Sequence, residues 1–267
     1  MSASPRFTVA AVPRYRMGTL DFFHYLPPRP VIHGLIEVDI TDVLRTIHEY
    51  EARTGEDISF VAFTAYCLAR AIEADKAVGA FRVGRKLIIY DDIDVNVMVE
   101  REVDGHKVVG NHILRAANRK GVPEMCAEIR TAQTQSVRKT RSINMMRWYA
   151  RLPGFVRALM LRYLQSHTHL WKELGGTTGI TSVGMFGEGA GWGIPMALVG
   201  LMLTLGGIGK KPGIVEERIE IRDYLCITVS FDHTITDGAP AARFVNRLQA
   251  LVESGAGLEF CHPARKD

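Results

Sequence analysis

The chain has 267 residues, 47% of them hydrophobic and 23% charged, enough for a substantial core and too apolar for a disordered or fibrous protein. Its formal net charge of +4 is too mild to imply nucleic acid, and no zinc-finger spacing or aromatic-glycine RNA motif is present. Cys67, Cys126, Cys226 and Cys261 stand far apart, which argues against a metal knuckle or disulfide framework and fits a reducing cytoplasm; the first residues lack an apolar signal core.

Residues 1–30 hold five prolines and little periodicity and read as an N-terminal proline-rich arm, with Arg14 and Arg16 in it. Val31 to Ile40 reads as a strand, and Thr41-Asp42 opens a helix carrying Val43, Leu44 and Ile47. Ile58 to Ala74 is a strongly apolar helix suited to full burial. Ala74-Asp75-Lys76-Ala77 is similar to the turn that carries lipoyl-lysine, but that lysine needs a hairpin tip, so a helix end is expected here. Leu87 to Tyr90 and Ile93 to Val99 read as strands, with a hairpin tip at Asp104-Gly105.

From Ile129 to Lys172 there is no acidic residue, while nine arginines and lysines, among them Arg157 and Arg162, punctuate the stretch. A helix around Ile143 to Ala150 is expected, then a break at Pro153-Gly154 and a helix carrying Phe155, Val156, Leu159, Met160, Tyr163 and Leu164. A solvated basic face packed by its apolar stripe is the commoner arrangement; the functional alternatives are a phosphorylated ligand or an anionic membrane surface. Gly191 to Gly209 is uncharged over nineteen residues, but its glycines and Pro195 break any helix, so a buried strand entered through an irregular loop is expected rather than a span.

Leu225, Ile227, Val229 and Phe231 alternate with Cys226, Thr228 and Ser230, the period of a strand. Asp237-Gly238 then turns the chain, Pro240 suits a first helical turn, and Phe244, Val245, Leu248, Leu251 and Val252 share a helical face. This strand, loop and helix set His233 on a rigid edge, where a catalytic group is well positioned. On the window alone Asp237 could equally be a helix cap and His233 a structural histidine. The element order favours a mixed α/β sandwich in one domain over tandem repeats.

Residues 230–239, Ser-Phe-Asp-His-Thr-Ile-Thr-Asp-Gly-Ala, resemble the Asp-His-Arg-x-x-Asp-Gly-Ala motif of the 2-oxoacid dehydrogenase acyltransferase catalytic domain, and the His-His-x-x-x-Asp-Gly motif of chloramphenicol acetyltransferase, which shares that fold. Gly-Ile-Thr-Ser-Val-Gly-Met-Phe-Gly (179–187), Ile-Gly-Lys-Lys-Pro (208–212) and Glu-Val-Asp-Ile-Thr (37–41) resemble further stretches of the family in the same order, and residues 242–249 are similar to the chloramphenicol branch. The resemblance implies an α/β two-layer sandwich with a mixed β-sheet covered by helices, the coenzyme A-dependent acyltransferase (chloramphenicol acetyltransferase-like) fold, over 31–260, and an enzyme moving acyl groups between acyl-coenzyme A and a thiol or other small acceptor.

Carried over, His233 is the general base, Asp237 orders the site through an arginine that could be Arg14 or Arg16, and the oxyanion donor is Thr181 in the ungapped register, with Ser182 as its neighbour. Arg157 and Arg162 are the candidates for the charged end of coenzyme A. The arginine usual after the motif histidine is Thr234 here. No lipoyl or subunit-binding domain is recognised, so a lipoyl group is expected only on a separate partner protein; a free thiol or another small molecule are the other acceptors. A homotrimer, or a multiple of trimers, with active sites between subunits is implied, and no metal. A noncatalytic core subunit and a peripheral membrane protein are the rival functions.

Overall fold

The computed structural model describes residues 7–9, 11–12, 17–25, 29–103, 106–134, 148–149, 151–183, 189–196 and 199–262. Its internal contacts fall into two compact units, one of residues 1–28 with 137–167 and one of residues 29–136 with 168–267. Residues 137–167, expected within a single domain over 31–260, thus group with the N-terminal segment. The expected turn at 104–105 and most of the expected helix at 143–150 lie outside the described residues.

In the smaller unit, helices α1 (Met17–Tyr25) and α5 (Gly154–Ser166) are joined by an ion pair in which Arg157 Nη1 donates to Asp21 Oδ2 at 2.9 Å. Both side chains are nearly enclosed, 12% and 7% exposed. The arm over 1–30 therefore contains a helix. Hydrophobic periodicity did not reveal it because its most buried described residue is a carboxylate.

The larger unit is built on a six-stranded sheet. Its strands are β1 (Val31–Asp39), β4 (Val95–Val103), β5 (His106–Leu114), β6 (Thr178–Ser182), β7 (Leu201–Val215) and β8 (Arg218–Asp232), in the spatial order β1-β8-β7-β6-β4-β5. β6 runs parallel to β4 and β7, and the other neighbours are antiparallel, so the sheet is mixed. Two short strands, β2 (Phe81–Val83) and β3 (Lys86–Ile88), pair with each other in a separate two-stranded sheet. The strand expected over Leu87 to Tyr90 is thus a side hairpin.

One face of the sheet carries the helices α2 (Thr41–Thr54), α3 (Phe60–Ala74), α4 (Val122–Thr134) and α7 (Gly238–Glu253); α6 (Thr168–Gly175) leads into β6. Side chains directly opposite one another across a ladder share a face. Ile180, Leu203 and Val229 form one such row, and Leu205 and Ile227 part of the next; all are buried against the helices. α3 lies between α4 and α7 and is buried nearly all round, from Ala62 to Ile72. Its small residues Ala62, Ala65, Ala69 and Ala71 let the neighbours approach, and Ser59 Oγ caps it by accepting from Ala62 N at 3.3 Å. A large side chain such as Phe63 or Phe231, fully enclosed here, contributes about 2–3 kcal/mol by leaving water. α3 ends at Ala74, and Lys76 pairs with Asp91 at 2.9 Å, as the helix-end reading of that tetrapeptide requires.

β6 is held in place by Asp94. Its main chain bonds Thr177, with Thr177 N donating to Asp94 O at 2.7 Å, while its side chain accepts from Ala116 N, from Arg115 at 2.7 Å and from Lys172 at 3.1 Å. Burial opposes the charge, yet these bonds together hold the carboxyl below its ordinary range. Gly176, at φ 73°, passes so close that a Cβ there would sit 2.7 Å from Asp94 O. β7 and β8 extend well beyond the expected limits and meet in a two-residue turn, Glu216-Glu217, with φ 46° and 63°.

Candidate active site

β8 delivers Asp232 to the rim of the sheet, and the chain folds into a tight turn before α7. Asp232 N donates to Gly200 O, and Ile235 N and Thr236 N both donate to Asp232 O. The Asp232 side chain is 6% exposed; its Oδ1 accepts from Thr234 N at 2.9 Å and Thr234 Oγ1 at 2.6 Å, and Oδ2 faces Arg29 at 3.5 Å. His233 N donates to Pro30 O at 2.8 Å, so the residues entering β1 also fasten the turn.

On this anchored turn the His233 side chain is presented rather than buried, at 44% exposure. Its Nδ1 lies 3.1 Å from Thr236 O. A carbonyl can only accept, so the neutral ring carries its proton on Nδ1 and leaves the Nε2 lone pair available. Asp237 Oδ1 stands 3.6 Å from the same nitrogen. Asp237 occupies the N-cap position of α7 but makes no side-chain capping bond, so the plain cap reading does not describe it. Its side chain is 86% exposed, and among the described residues it has no arginine partner. Arg14 and Arg16 lie outside the described residues.

Thr181 and Ser182 are adjacent on β6, both half-buried, and take opposite faces. Ser182 is level with Leu205 and Ile227 on the helix side. Thr181 is level with Thr204 and Thr228 on the other side. That row meets β8 five residues before His233, so Thr181 is roughly 16 Å from His233 along the strands and roughly 10 Å across them. The hydroxyls of Thr204 and Thr228 are enclosed without a hydrogen-bond partner. Over the same face runs the segment 189–196, which bridges Gly191 to Gly207 and fixes Trp192 Nε1 on Ile36 O at 3.1 Å. The family-like residues 184–187 lie outside the described residues.

A largely apolar cavity of about 300 Å³ opens between the edge strand β1 and α7, walled by Ile32, Gly34, Phe231, Ala241 and Val245, with His33 at its margin. His33 Nδ1 bonds Ser230 Oγ at 2.9 Å. Arg157, expected to meet coenzyme A, is turned inward on Asp21, whereas Arg162 is exposed. The sequence did not single out Asp232, Arg29 or Asp94. Asp232 stands within the motif already, and its burial at a strand end is visible only once β8 is placed.

Residues 156–259 match the family model of 2-oxoacid dehydrogenases acyltransferase (catalytic domain). The dihydrolipoyllysine-residue acetyltransferase component of the pyruvate dehydrogenase complex of Zymomonas mobilis is 34% identical over 103 residues, 39% of this chain and 23% of that one. The lipoamide acyltransferase component of the branched-chain alpha-keto acid dehydrogenase complex of Bacillus subtilis is 24% identical over 225 residues, 82% of this chain and 46% of that one. The chain thus spans less than half the length of these two relatives. The crystal structure of dihydrolipoamide acetyltransferase from Azotobacter vinelandii superposes with a TM-score of 0.67 at 16% identity, covering 97% of this chain and 99% of that one. The fold is therefore that of the dihydrolipoamide acyltransferase catalytic core, as the motifs implied.

Proposed function

We propose that this chain, which has the fold of dihydrolipoamide acyltransferase cores and matches their family over residues 156–259, is a coenzyme A-dependent acyltransferase. It moves an acyl group between a coenzyme A thioester and a thiol of the dihydrolipoyl type, or another small acceptor. The observation that carries this is the presentation of His233, with Nδ1 committed to Thr236 O and Nε2 left as a base at the solvent-facing rim. His233 Nε2 takes the proton of the acceptor thiol as its sulfur attacks the thioester carbonyl. The tetrahedral oxyanion collapses, the bond to the coenzyme A sulfur breaks, and that sulfur recovers the proton from the imidazolium. A base so placed is worth roughly 10²–10⁴ in rate.

The separation of Thr181 from His233 supports a site completed by a second subunit, with the hydroxyl of one chain donating to the oxyanion formed at the histidine of another. A trimer with three such sites, and a lipoyl group carried on a separate protein, complete the proposal. The apolar cavity beside α7 suits the acyl chain. Four buried free cysteines fit a reducing compartment.

The test is thioester exchange by the purified protein, offering a series of acyl-coenzyme A donors to dihydrolipoamide and other thiols. Exchange that disappears in His233→Ala, with thermal unfolding unchanged, is the expected result. Equal rates in the folded variant and the parent, or no exchange with any pair, would leave a noncatalytic core subunit.

A further inference from the structure

Charge is divided unevenly along this chain. Residues 1–28 and 137–167 contain ten arginines and lysines and one acidic residue, Asp21, a formal +9; since the whole chain stands at +4, the remainder stands at −5. Asp21 is consumed by Arg157.

The described surface of that unit departs from that of an ordinary amphipathic helix, being apolar on its exposed side as well as on the side that carries Val156, Leu161 and Leu164. A surface helix turns polar residues to water. In α5 the guanidinium of Arg157 faces inward, while Phe155, Leu159 and Tyr163, spaced by four residues, are 75%, 69% and 56% exposed. Met160 is 39% exposed and Trp148 55%. Arg151 and Arg162 are exposed beside them. The apolar stripe expected to pack beneath a solvated basic face is thus partly exposed, at Phe155, Leu159 and Tyr163.

We propose that this surface binds an anionic membrane, with Phe155, Leu159 and Met160 entering the boundary between headgroups and acyl chains and Arg151 and Arg162 meeting the phosphates. A helix of this kind lies in the interface plane with its apolar side sunk roughly 5–10 Å. Trp148 and Tyr163, apolar bodies with polar tips, suit the headgroup level. No described helix is long and apolar enough to cross a membrane, so the contact is peripheral. Two other occupants fit less well. A second copy presenting the same surface would set this +9 unit against itself, with its one carboxylate already paired; a copy presenting its −5 remainder is the competing occupant, and it would show as a change of mass when the apolar residues are replaced. A nucleic acid would satisfy the arginines but offers nothing to the aliphatic Leu159 and Met160.

The experiment is co-sedimentation of the full chain with phosphatidylcholine vesicles, with and without phosphatidylglycerol. Binding should require the anionic lipid, weaken with salt, and fall about fivefold for Arg162→Gln, since each basic residue near such a surface contributes about that factor. Phe155→Ser with Leu159→Ser should lower it at least tenfold, and the unchanged melting temperature of that variant shows that its fold is intact. The proposal fails if neither vesicle binds, or if the serine variant binds as well as the parent. It fails too if an oligonucleotide binds with the same affinity in the parent and the serine variant, or if the serine variant changes only the mass measured by light scattering.

Discussion

His233 and Thr236 are joined side chain to main chain, Nδ1 to carbonyl oxygen at 3.1 Å, inside a turn whose geometry is fixed by the buried carboxylate of Asp232. The imidazole is thus oriented by the backbone, and the two aspartates flanking it have different tasks.

Asp232→Asn removes the charge that faces Arg29 and weakens the bonds from Thr234, and should cost about 1–3 kcal/mol. Asp237→Asn, at an 86% exposed side chain, should change stability by less than about 0.5 kcal/mol. Chemical denaturation of both variants checks this. A larger loss at Asp237 would mean that its carboxylate is enclosed in the assembled protein.

Thr181→Val keeps the β-branched shape and removes the hydroxyl. If Thr181 is the oxyanion donor, turnover should fall roughly 10²-fold with little change in apparent affinity for acyl-coenzyme A. Ser182→Ala should be mild, because Ser182 takes the face turned to the helices. Steady-state kinetics of both variants decide, and a severe Ser182→Ala would assign the donor to the opposite face of β6.

Arg157 and Arg162 should separate cleanly. Arg157→Ala leaves Asp21 enclosed without its partner and should destabilise the smaller unit by about 3 kcal/mol. Arg162→Ala should leave stability within about 0.5 kcal/mol, and any effect on the Michaelis constant for acyl-coenzyme A falls to it. Thermal unfolding and donor titration measure the two.

The Asp94 carboxyl is held below its ordinary value in the folded chain, so its contribution is complete above the unfolded value and is lost as pH falls from about 4 toward the folded one. Melting temperature should therefore drop on the acid side of pH 4, and Asp94→Asn should lower the plateau and flatten that limb. An unchanged acid limb in the variant would show that Asp94 does not supply it.

Much of the larger unit can be read from the chain because the two buried faces of its central strands differ in chemistry, aliphatic and aromatic on one side and hydroxyl or thiol on the other. The alternation from Leu225 to Phe231 marks the half of β8 that covers the helices, and Ser59 with the run to Ala74 marks α3. Beyond Leu225 toward Arg218 the alternation carries no information, since Ile219 and Ile221 are exposed along with Glu220 between them. Asp94 was hidden for the opposite reason. It interrupts an apolar run, and only Arg115, Lys172 and Ala116, distant in sequence, show why a carboxylate belongs there. At the site, the motif located His233 and Asp237. The distance from Thr181 to His233 depends on strand register, which no single segment records.

The edge strand β1 carries a consequence for the order of assembly. β7 and β8 are linked by two residues, whereas Val31 pairs with Asp232 across about two hundred positions of chain. Loop closure disfavours distant pairings until others have shortened the path, so the β7–β8 ribbon should form early and β1 should close late. Pulse-labelling hydrogen exchange should find amides of Leu201–Leu205 and Leu225–Phe231 protected before those of Val31–Asp39; simultaneous protection would remove the inference. Because Pro30 O receives the amide of His233, a nascent chain would hold its histidine unanchored until that last seam is closed, and competence for chemistry would then report completed folding.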